Sequence, residues 1–139
     1  MIMNLLFKQT RVGKEGKLFR IYKLRTINSP LPFCKTLRKY HIDELPQIIN
    51  ILKGDMKLIG PRPERPMIYK RLPLQFRKRQ KVKPGLTGLA QVKLGYIDPN
   101  DYTQMRKKLK YDLFYIKHKN FCLDLYILFS TFKRLGNGR

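Results

Sequence analysis

The sequence predicts an α+β fold that is rich in helix, with a small β-hairpin or sheet and amphipathic helices, in a single domain, 1–139. Three observations support this expectation. Two β-prone segments lie close together near the start, apolar residues recur at helical spacing further on, and basic residues flank the apolar stripes. The chain has 139 residues, of which 42% are hydrophobic, so it can bury a core without disulfide bonds or metal ions.

The first two elements are predicted to form a basic hairpin. Residues 5–11 and 18–27 are β-prone and flank a loop with a glycine at each end. In the second segment, Lys23 and Arg25 fall on the same face as Ile21. This face therefore changes from apolar to cationic along the strand.

After a proline-containing break at 28–32, a short helix is predicted. Its apolar residues recur at helical spacing and a glycine ends the run: Ile42, Leu45, Ile49, Leu52 and Gly54. Pro46 fits in the first turn, where an N–H group matters little, and Asp43 and Glu44 lie at the positive N-terminal end. The segment 60–66 is expected to be stiff and non-helical, because each of its prolines favours an extended residue before it.

The second half of the chain is predicted to be mainly helical. A basic surface helix over 67–79 is broken near Pro73, and residues 84–88 form a turn. A long helix follows, with one apolar stripe flanked by basic residues: Met105, Leu109, Leu113 and Ile116, with Arg106, Lys107, Lys108, Lys110 and Lys117. Residues 121–134 are again apolar and aromatic with basic ends. This spacing fits a core-facing helix and an interfacial amphipathic helix equally well.

The net charge is the most extreme property of the sequence. The 31 Lys and Arg residues against 9 Asp and Glu residues give +22. Such a charge predicts a polyanionic partner: nucleic acid, an anionic membrane surface or a phosphorylated substrate. The two cysteines and two histidines lack the spacing of a metal site. The longest apolar run, 121–132, is shorter than the roughly 20 residues needed to span a bilayer.

Acidic residues are concentrated in one short stretch. Four of the nine lie there beside four basic residues: Asp43, Glu44, Asp55 and Glu64, with Arg38, Lys53, Arg62 and Arg65. A helix cap and a rigid proline linker would explain this pattern without any chemistry. A catalytic site would also explain it, since a carboxylate can attack phosphorus, a second carboxylate can hold Mg²⁺, and arginines can bind phosphate oxygens. The residue pattern alone leaves both interpretations open.

The order of several motifs resembles that of the bacterial sugar transferase family, whose members are monotopic phosphoglycosyl transferases. The similarity covers 17–27, 37–66, 82–92 and 110–132, and its most specific motifs are DELPQ, GDM, GPRP, KPGLTG and AQV. The resemblance implies that a sugar phosphate passes from a UDP-sugar to polyprenyl (undecaprenyl) phosphate and that UMP leaves. It also implies a location at the cytoplasmic face of the bacterial inner membrane and a role in initiating exopolysaccharide, O-antigen or glycan assembly.

The resemblance also implies roles for individual residues. It makes Asp43 the nucleophile that becomes phospho-glycosylated and Glu44 the ligand of Mg²⁺. Five basic residues are expected to bind anionic groups: Arg38, Arg62 and Arg65 the substrate phosphates, and Lys23 and Arg25 substrate phosphate or the lipid headgroup. Three further residues match the family and are expected to position other groups: Gln47, Asn50 and Gln91.

The chain departs from the family pattern in three places. It begins near the strand that usually follows a re-entrant membrane helix, so we expect either a lost anchor or a truncated sequence. Attachment is then expected to be peripheral or monotopic, through charge and amphipathic surface. The segment 28–33 is shorter than usual, which predicts the loss of lid or substrate contacts. Leu89 and Lys57 stand where the family has Trp and Ser, and both are expected to alter membrane docking or substrate fit.

Two other classes of function fit the sequence. A charge of +22 would suit a basic protein that binds nucleic acid without catalysis, although the chain has no known nucleic-acid-binding motif and specific recognition is not expected. A degenerate family member that binds only lipid or a partner protein would keep the same fold and charge. Because Asp43, Glu44, Arg38 and Arg62 are all intact, the sequence favours retained chemistry.

Overall fold

The structure is a computed structural model that describes residues 5–27 and 32–137. The expected break at 28–32 and the shortened segment at 28–33 fall mostly on residues 28–31, which lie outside this described part. The described chain is mainly helical and has two small sheets, so the α+β class is confirmed.

The predicted hairpin is present at the N-terminal end. Strands β1 (Leu6–Val12) and β2 (Leu18–Leu24) pair antiparallel along their whole length. A 3₁₀ turn, Lys14–Gly16, joins them, and Gly16 ends it with a φ of +79°, a left-handed conformation that favours glycine. Ile21 is buried, so one face of the hairpin packs against the rest of the fold.

Three short helical elements follow the hairpin: α1 (Cys34–Lys39), a 3₁₀ segment (Ile42–Gln47) and α2 (Ile48–Leu52). The helix predicted from residue 42 therefore begins with 3₁₀ turns and becomes α-helical only in α2. Pro46 explains this start, because it has no N–H group to donate to the carbonyl of Ile42 four residues earlier.

The apolar residues of this region lie at the surface. Leu45 and Ile48 are exposed, and the Leu52 side chain is 83% exposed. Gln47 and Asn50 are fully buried and occupy the inner side of the same segment. Two polar residues therefore face the interior here, while the apolar stripe faces outward.

A second sheet, which was not predicted, pairs two three-residue strands in parallel. Strand β3 (Lys57–Ile59) lies beside β4 (Gly85–Thr87), where the sequence predicts a turn. The backbones approach so closely that a Cβ on Gly85 would lie 2.1 Å from the nitrogen of Gly60. A Cβ on Gly88 would lie 2.3 Å from the oxygen of Gly60. Glycine is therefore required at this crossing by the lack of space.

The second half of the chain is helical, as predicted. Its elements are α3 (Pro66–Arg71), a 3₁₀ segment (Leu74–Lys81), α4 (Leu89–Leu94), α5 (Tyr102–His118) and α6 (Phe121–Asn137). The break near Pro73 is confirmed. The long helix α5 is capped by Asp101, whose carboxylate accepts the backbone N–H groups of Thr103 and Gln104 at 2.9 and 3.1 Å.

The core consists of two apolar clusters, and α5 contributes to both: Phe76 with Met105 and Leu109, and Tyr115 with Leu89 and Ile127. Leu89, which stands where the family has Trp, is therefore a core residue. Helix α6 buries Ile127 but leaves Phe129 and Phe132 exposed. Among the described helices, none has the length and apolar character needed to cross a membrane.

Candidate functional site

The hairpin is fastened to α2 by Asn50. The Asn50 side chain is fully buried: Oδ1 accepts the backbone N–H of Tyr22 at 3.2 Å, and Nδ2 donates to the carbonyl of Arg20 at 2.7 Å. These bonds fix the spacing between β2 and the helical segment that carries Asp43 and Glu44. Lys23, the next residue on the strand, is thereby placed within reach of that segment.

Glu44 is the centre of a charged cluster. Arg62 binds its carboxylate as a fork, with NH2 donating to Oε1 at 2.6 Å and NH1 donating to Oε2 at 3.0 Å. Lys23 Nζ donates to the same Oε1 at 3.0 Å, and His41 Nδ1 lies 4.0 Å from it. We call Lys23, Asp43, Glu44 and Arg62 the open cluster, because each of these side chains is partly exposed to solvent.

The two neighbouring carboxyl groups of the open cluster have opposite shifts in pKa. Burial raises the pKa of Glu44, but the charges and hydrogen bonds of Arg62 and Lys23 outweigh burial, so the net pKa lies far below its usual range. Burial, together with the negative charge of Glu44, raises the pKa of the half-buried Asp43. Glu44 is therefore held ionised, while the carboxylate of Asp43 is less stabilised and more basic.

Asp43 and Glu44 are the residues of the open cluster that could hold a magnesium ion together with a phosphate ligand. Mg²⁺ in such sites usually binds one or two carboxylates, and substrate phosphates and water complete its octahedral geometry. Asp43 and Glu44 supply two carboxylates, whereas residues 5–27 and 32–137 hold no group of three or more potential metal ligands. A carboxylate has about four acceptor positions. Glu44 accepts two hydrogen bonds on Oε1 and one on Oε2, so an acceptor position on Oε2 remains.

Residues 61–64 are held through their backbone, and residues 61–65 are non-helical as predicted, whereas Pro66, expected to be non-helical, begins α3. The four successive carbonyl oxygens accept hydrogen bonds from four different donors: Pro61 from Gly85 N at 3.0 Å, Arg62 from Arg79 NH2 at 2.6 Å, Pro63 from Arg11 NH1 at 3.1 Å, and Glu64 from Val12 N at 2.9 Å. Proline at 61 and 63 also restricts φ. The side chain of Arg62 joins the open cluster, and that of Glu64 joins a second cluster.

This second cluster is buried. We call it the closed cluster: Glu64, Arg79, Lys108 and Asp112, each less than a tenth exposed. Arg79 Nε lies 2.7 Å from Asp112 Oδ2, and Arg79 NH1 lies 3.4 Å from Glu64 Oε1. Lys108 Nζ pairs with the same oxygen of Glu64. Burial raises the pKa of Glu64, but Lys108 and Arg79 outweigh burial and lower it.

The closed cluster was not predicted from the sequence. Lys108 was expected among the basic residues that flank the apolar stripe, and Arg79 at the end of a basic surface helix. Both expectations are wrong, since both side chains are buried and paired. Helical spacing could have indicated part of the cluster: Lys108 and Asp112 follow Met105 by three and seven residues, positions that share a helix face.

Three of the predicted phosphate-binding residues lie at the surface. Arg38 is exposed on α1 and Arg65 is exposed just before α3. Within the described part of the chain, neither forms an ion pair with Glu44. Arg25 is exposed just after β2, where its backbone N–H donates to the carbonyl of Leu5 at 2.7 Å.

The two glutamines predicted to position other groups have different surroundings. Gln47 is 1% exposed, and its Nε2 has no hydrogen-bond partner among the described residues. Gln91 lies on α4, and its Nε2 donates to the carbonyl of Leu86 at 3.3 Å. Gln91 therefore links α4 to β4, while Gln47 places an unpaired donor on the inner side of the 3₁₀ segment.

Comparison with known proteins gives a consistent result. The family profile described as bacterial sugar transferase matches residues 2–138. The UDP-N-acetylgalactosamine-undecaprenyl-phosphate N-acetylgalactosaminephosphotransferase of Aeromonas hydrophila is 40% identical over 96% of this chain and 36% of its own length. The UDP-glucose:undecaprenyl-phosphate glucose-1-phosphate transferase of Klebsiella pneumoniae is 34% identical over 91% of this chain and 31% of its own length.

A shorter relative matches over more of its length. The uncharacterized sugar transferase EpsL of Bacillus subtilis (strain 168) is 40% identical over 93% of this chain and 68% of its own length. The chain therefore spans most of EpsL but well under half of the Aeromonas and Klebsiella proteins.

Proposed function

The chain belongs to the bacterial sugar transferase family, and on that premise we propose that it transfers a sugar 1-phosphate from a UDP-sugar to polyprenyl phosphate and releases UMP. The names of the Aeromonas and Klebsiella relatives support this substrate class, a UDP-sugar with undecaprenyl phosphate. The observation that carries the proposal is the open cluster, in which two adjacent carboxyl groups of different basicity lie beside an arginine fork and a lysine. The reaction would initiate the assembly of an exopolysaccharide, O-antigen or other glycan.

In the first proposed step, the Asp43 carboxylate attacks the β-phosphorus of the UDP-sugar. A bond forms between Asp43 Oδ and phosphorus, the bond from phosphorus to the bridging oxygen breaks, and UMP leaves with the electron pair. The difference in basicity supports Asp43 as the nucleophile. Glu44 is a poorer nucleophile, because Arg62 and Lys23 already bind its charge.

In the second proposed step, an oxygen of polyprenyl phosphate attacks the same phosphorus. The bond from phosphorus to Asp43 Oδ breaks, so the carboxylate is regenerated and polyprenyl-diphosphate-sugar leaves. Both steps concentrate negative charge around one phosphorus atom. Arg62 and Lys23 lie where they can balance that charge.

Mg²⁺, when bound, would supply positive charge that neutralises part of the charge on the phosphates. We propose Glu44 as its ligand on this chain. The other proposed assignments come from the resemblance to the family: Arg38, Arg62 and Arg65 for the phosphates, Lys23 and Arg25 for phosphate or the lipid headgroup, and Gln47, Asn50 and Gln91 for positioning.

We further propose that the protein works at the cytoplasmic face of the bacterial inner membrane, as a peripheral or monotopic protein. Apolar side chains are exposed close in sequence to Asp43 and Glu44, at Leu45, Ile48 and Leu52. Such a surface suits contact with lipid. The net charge of +22 supports attraction to an anionic leaflet, at about 1 kcal/mol for each basic residue near the surface.

Release of UMP tests the proposed reaction. Purified protein is incubated with Mg²⁺, undecaprenyl phosphate in nanodiscs, and a panel of UDP-sugars that includes UDP-N-acetylgalactosamine and UDP-glucose. Release is expected with at least one UDP-sugar and is expected to require undecaprenyl phosphate for repeated turnover. The substitution Asp43→Asn should abolish release, while Asp98→Asn, in a loop outside the open cluster, should leave it unchanged.

Two results would contradict the proposal. Folded protein that releases no UMP from any UDP-sugar would contradict the transferase activity, and salt-sensitive binding to nucleic acid in the same sample would favour the alternative function. Equal release by wild type and Asp43→Asn would leave the activity standing but remove Asp43 from the nucleophile role.

A further inference from the structure

Two buried arginines, Arg11 and Arg79, hold the backbone at Arg62. Arg79 NH2 donates to the carbonyl of Arg62 itself at 2.6 Å, and Arg11 NH1 donates to the carbonyl of the next residue, Pro63, at 3.1 Å. Neither arginine is more than 9% exposed. Charged donors form stronger hydrogen bonds than neutral donors, so these two bonds restrain the segment tightly.

Arg79 is itself fixed by the closed cluster. Its Nε lies 2.7 Å from Asp112 Oδ2 on α5, and its NH1 lies 3.4 Å from Glu64 Oε1. Glu64 belongs to the same segment as Arg62, so Arg79 contacts that segment at a carbonyl and again at a side chain two residues later. Arg79 therefore links the backbone at Arg62 to the charged groups of the closed cluster.

Arg11 approaches the segment from β1. Its NH2 donates to Gln9 Oε1 at 2.7 Å, while its Nε is buried without a hydrogen-bond partner among the described residues. Burial and the positive charge of Arg62 lower the pKa of Arg11 to about 10. A buried cation beside another cation opposes folding, and a neutral donor would hold the same carbonyl without this penalty.

We propose that Arg11 and Arg79 are positioning residues for the transfer reaction and that they act through Arg62. By holding two consecutive carbonyls, they orient the peptide so that the Arg62 fork meets Glu44 at 2.6 and 3.0 Å. The same restraint holds the Arg62 guanidinium in the orientation needed to bind the phosphate oxygens while charge develops on them. This inference rests on the proposed function, in which Arg62 binds phosphate.

A double-mutant cycle tests this role. The kcat and KM of UMP release are measured for Arg79→Lys, for Arg62→Lys and for the double variant. Arg79→Lys is expected to lower kcat by about 10- to 100-fold with little change in KM, since misplacement by about 1 Å can cost about 100-fold. In the Arg62→Lys background, the same change should have almost no further effect, because the fork is already absent.

Two further variants complete the experiment. Arg77→Lys, on the same 3₁₀ segment but exposed over the ring of Tyr69, is the matched control and should leave kcat unchanged. Arg11→Lys repeats the cycle from the hairpin side, so the result does not depend on the folding of a single variant. The loss of kcat caused by Arg11→Lys should also disappear in the Arg62→Lys background.

The contrary outcomes are distinct. Equal losses of kcat with and without the Arg62 fork would mean that the two arginines do not act through Arg62, which would overturn the inference. Failure of both Arg79→Lys and Arg11→Lys to fold would assign the arginines to stability and would overturn it too. A wild-type protein that releases no UMP would contradict the proposed function itself, and the inference would fall with it.

Discussion

The open and closed clusters contain the same kinds of side chain and share one backbone segment. In each of them a glutamate, Glu44 or Glu64, accepts from one arginine and one lysine. The open cluster is reached by solvent, so its charges can exchange partners for a phosphate or a metal ion. The closed cluster is buried, and removing any member would leave a desolvated charge. Exposure, more than residue type, decides which of the two is available for chemistry.

The difference between the open and closed clusters can be tested at Arg62 and Glu64, because these residues are two positions apart and belong to different clusters. Substitutions at Arg62 should change mainly the reaction. Substitutions at Glu64 should change the free energy of unfolding.

The largest effect is expected for Glu64→Gln. This change leaves Arg79 and Lys108 buried with one carboxylate fewer, and breaking such a pair destabilises proteins by about 3–5 kcal/mol. Urea unfolding of wild type and variant measures the difference. Glu15→Gln is the matched control, since Glu15 pairs with Lys14 at the surface and its loss should change stability by less than about 1 kcal/mol. Similar values for the two variants would remove the distinction between buried and exposed pairs.

The second-largest effect is expected for Arg62→Lys and concerns the rate of UMP release. Arg62→Lys keeps the positive charge but loses the two-pronged geometry, so UMP release is expected to fall by about 10²–10³-fold. The free energy of unfolding should fall by less than in Glu64→Gln, because lysine keeps the positive charge and Lys23 still binds Glu44. Steady-state kinetics and urea unfolding together check this prediction. A variant that loses stability but retains full activity would reverse the roles of the two clusters.

A smaller effect is expected where β3 and β4 cross. Gly85 N donates to the carbonyl of Pro61, and a Cβ on Gly85 would clash with Gly60. Gly85→Ala should therefore lower the free energy of unfolding by about 1–3 kcal/mol or more and perturb both clusters through residues 61–64. Gly136→Ala is the control: a Cβ there meets nothing within 4 Å, and alanine should stabilise α6 by up to about 1 kcal/mol. Equal effects of the two substitutions would contradict a close backbone contact at Gly60.

The smallest expected effect is a pH dependence within the closed cluster. The pKa of Glu64 is lower in the folded protein than its usual value, so its ionised form stabilises the fold above that value. This contribution is lost as the pH falls through the lowered pKa. The stability difference between wild type and Glu64→Gln should be constant at neutral and mildly acidic pH and shrink below about pH 4.3. A difference that grows on acidification would mean that Glu64 is not held ionised.

The parts of the fold that were predicted depend on local patterns. The hairpin, the non-helical segment at 61–65 and helix α5 follow from alternation, proline content and helical spacing, which act over a few residues. The pairing of β3 with β4 could not be predicted in this way. Each strand has only three residues, and the paired residues Lys57 and Gly85 lie 28 positions apart in the sequence. The contact also depends on the close approach of three glycines, Gly60, Gly85 and Gly88.

Only part of the candidate site was predicted, because local motifs can be read from the sequence and contacts between distant residues cannot. Asp43, Glu44 and Arg62 were recognised from motifs that lie close together, and the structure brings them together with Lys23. The closed cluster joins residues up to 48 positions apart, and a basic residue on a helix is usually exposed. The burial of Arg11 likewise depends on the packing of β1 against residues 61–64, which its local sequence does not indicate.

The proposed transfer through Asp43 predicts a covalent adduct on the open cluster, which the intact mass of the protein can reveal. Wild-type protein is incubated with Mg²⁺ and the UDP-sugar that supports UMP release, without undecaprenyl phosphate, and its intact mass is determined. The mass should increase by one sugar phosphate for each UMP released, peptide fragmentation should place the adduct on Asp43, and Asp43→Asn should gain no mass. UMP release without an adduct, or an adduct that persists in Asp43→Asn, would contradict the account.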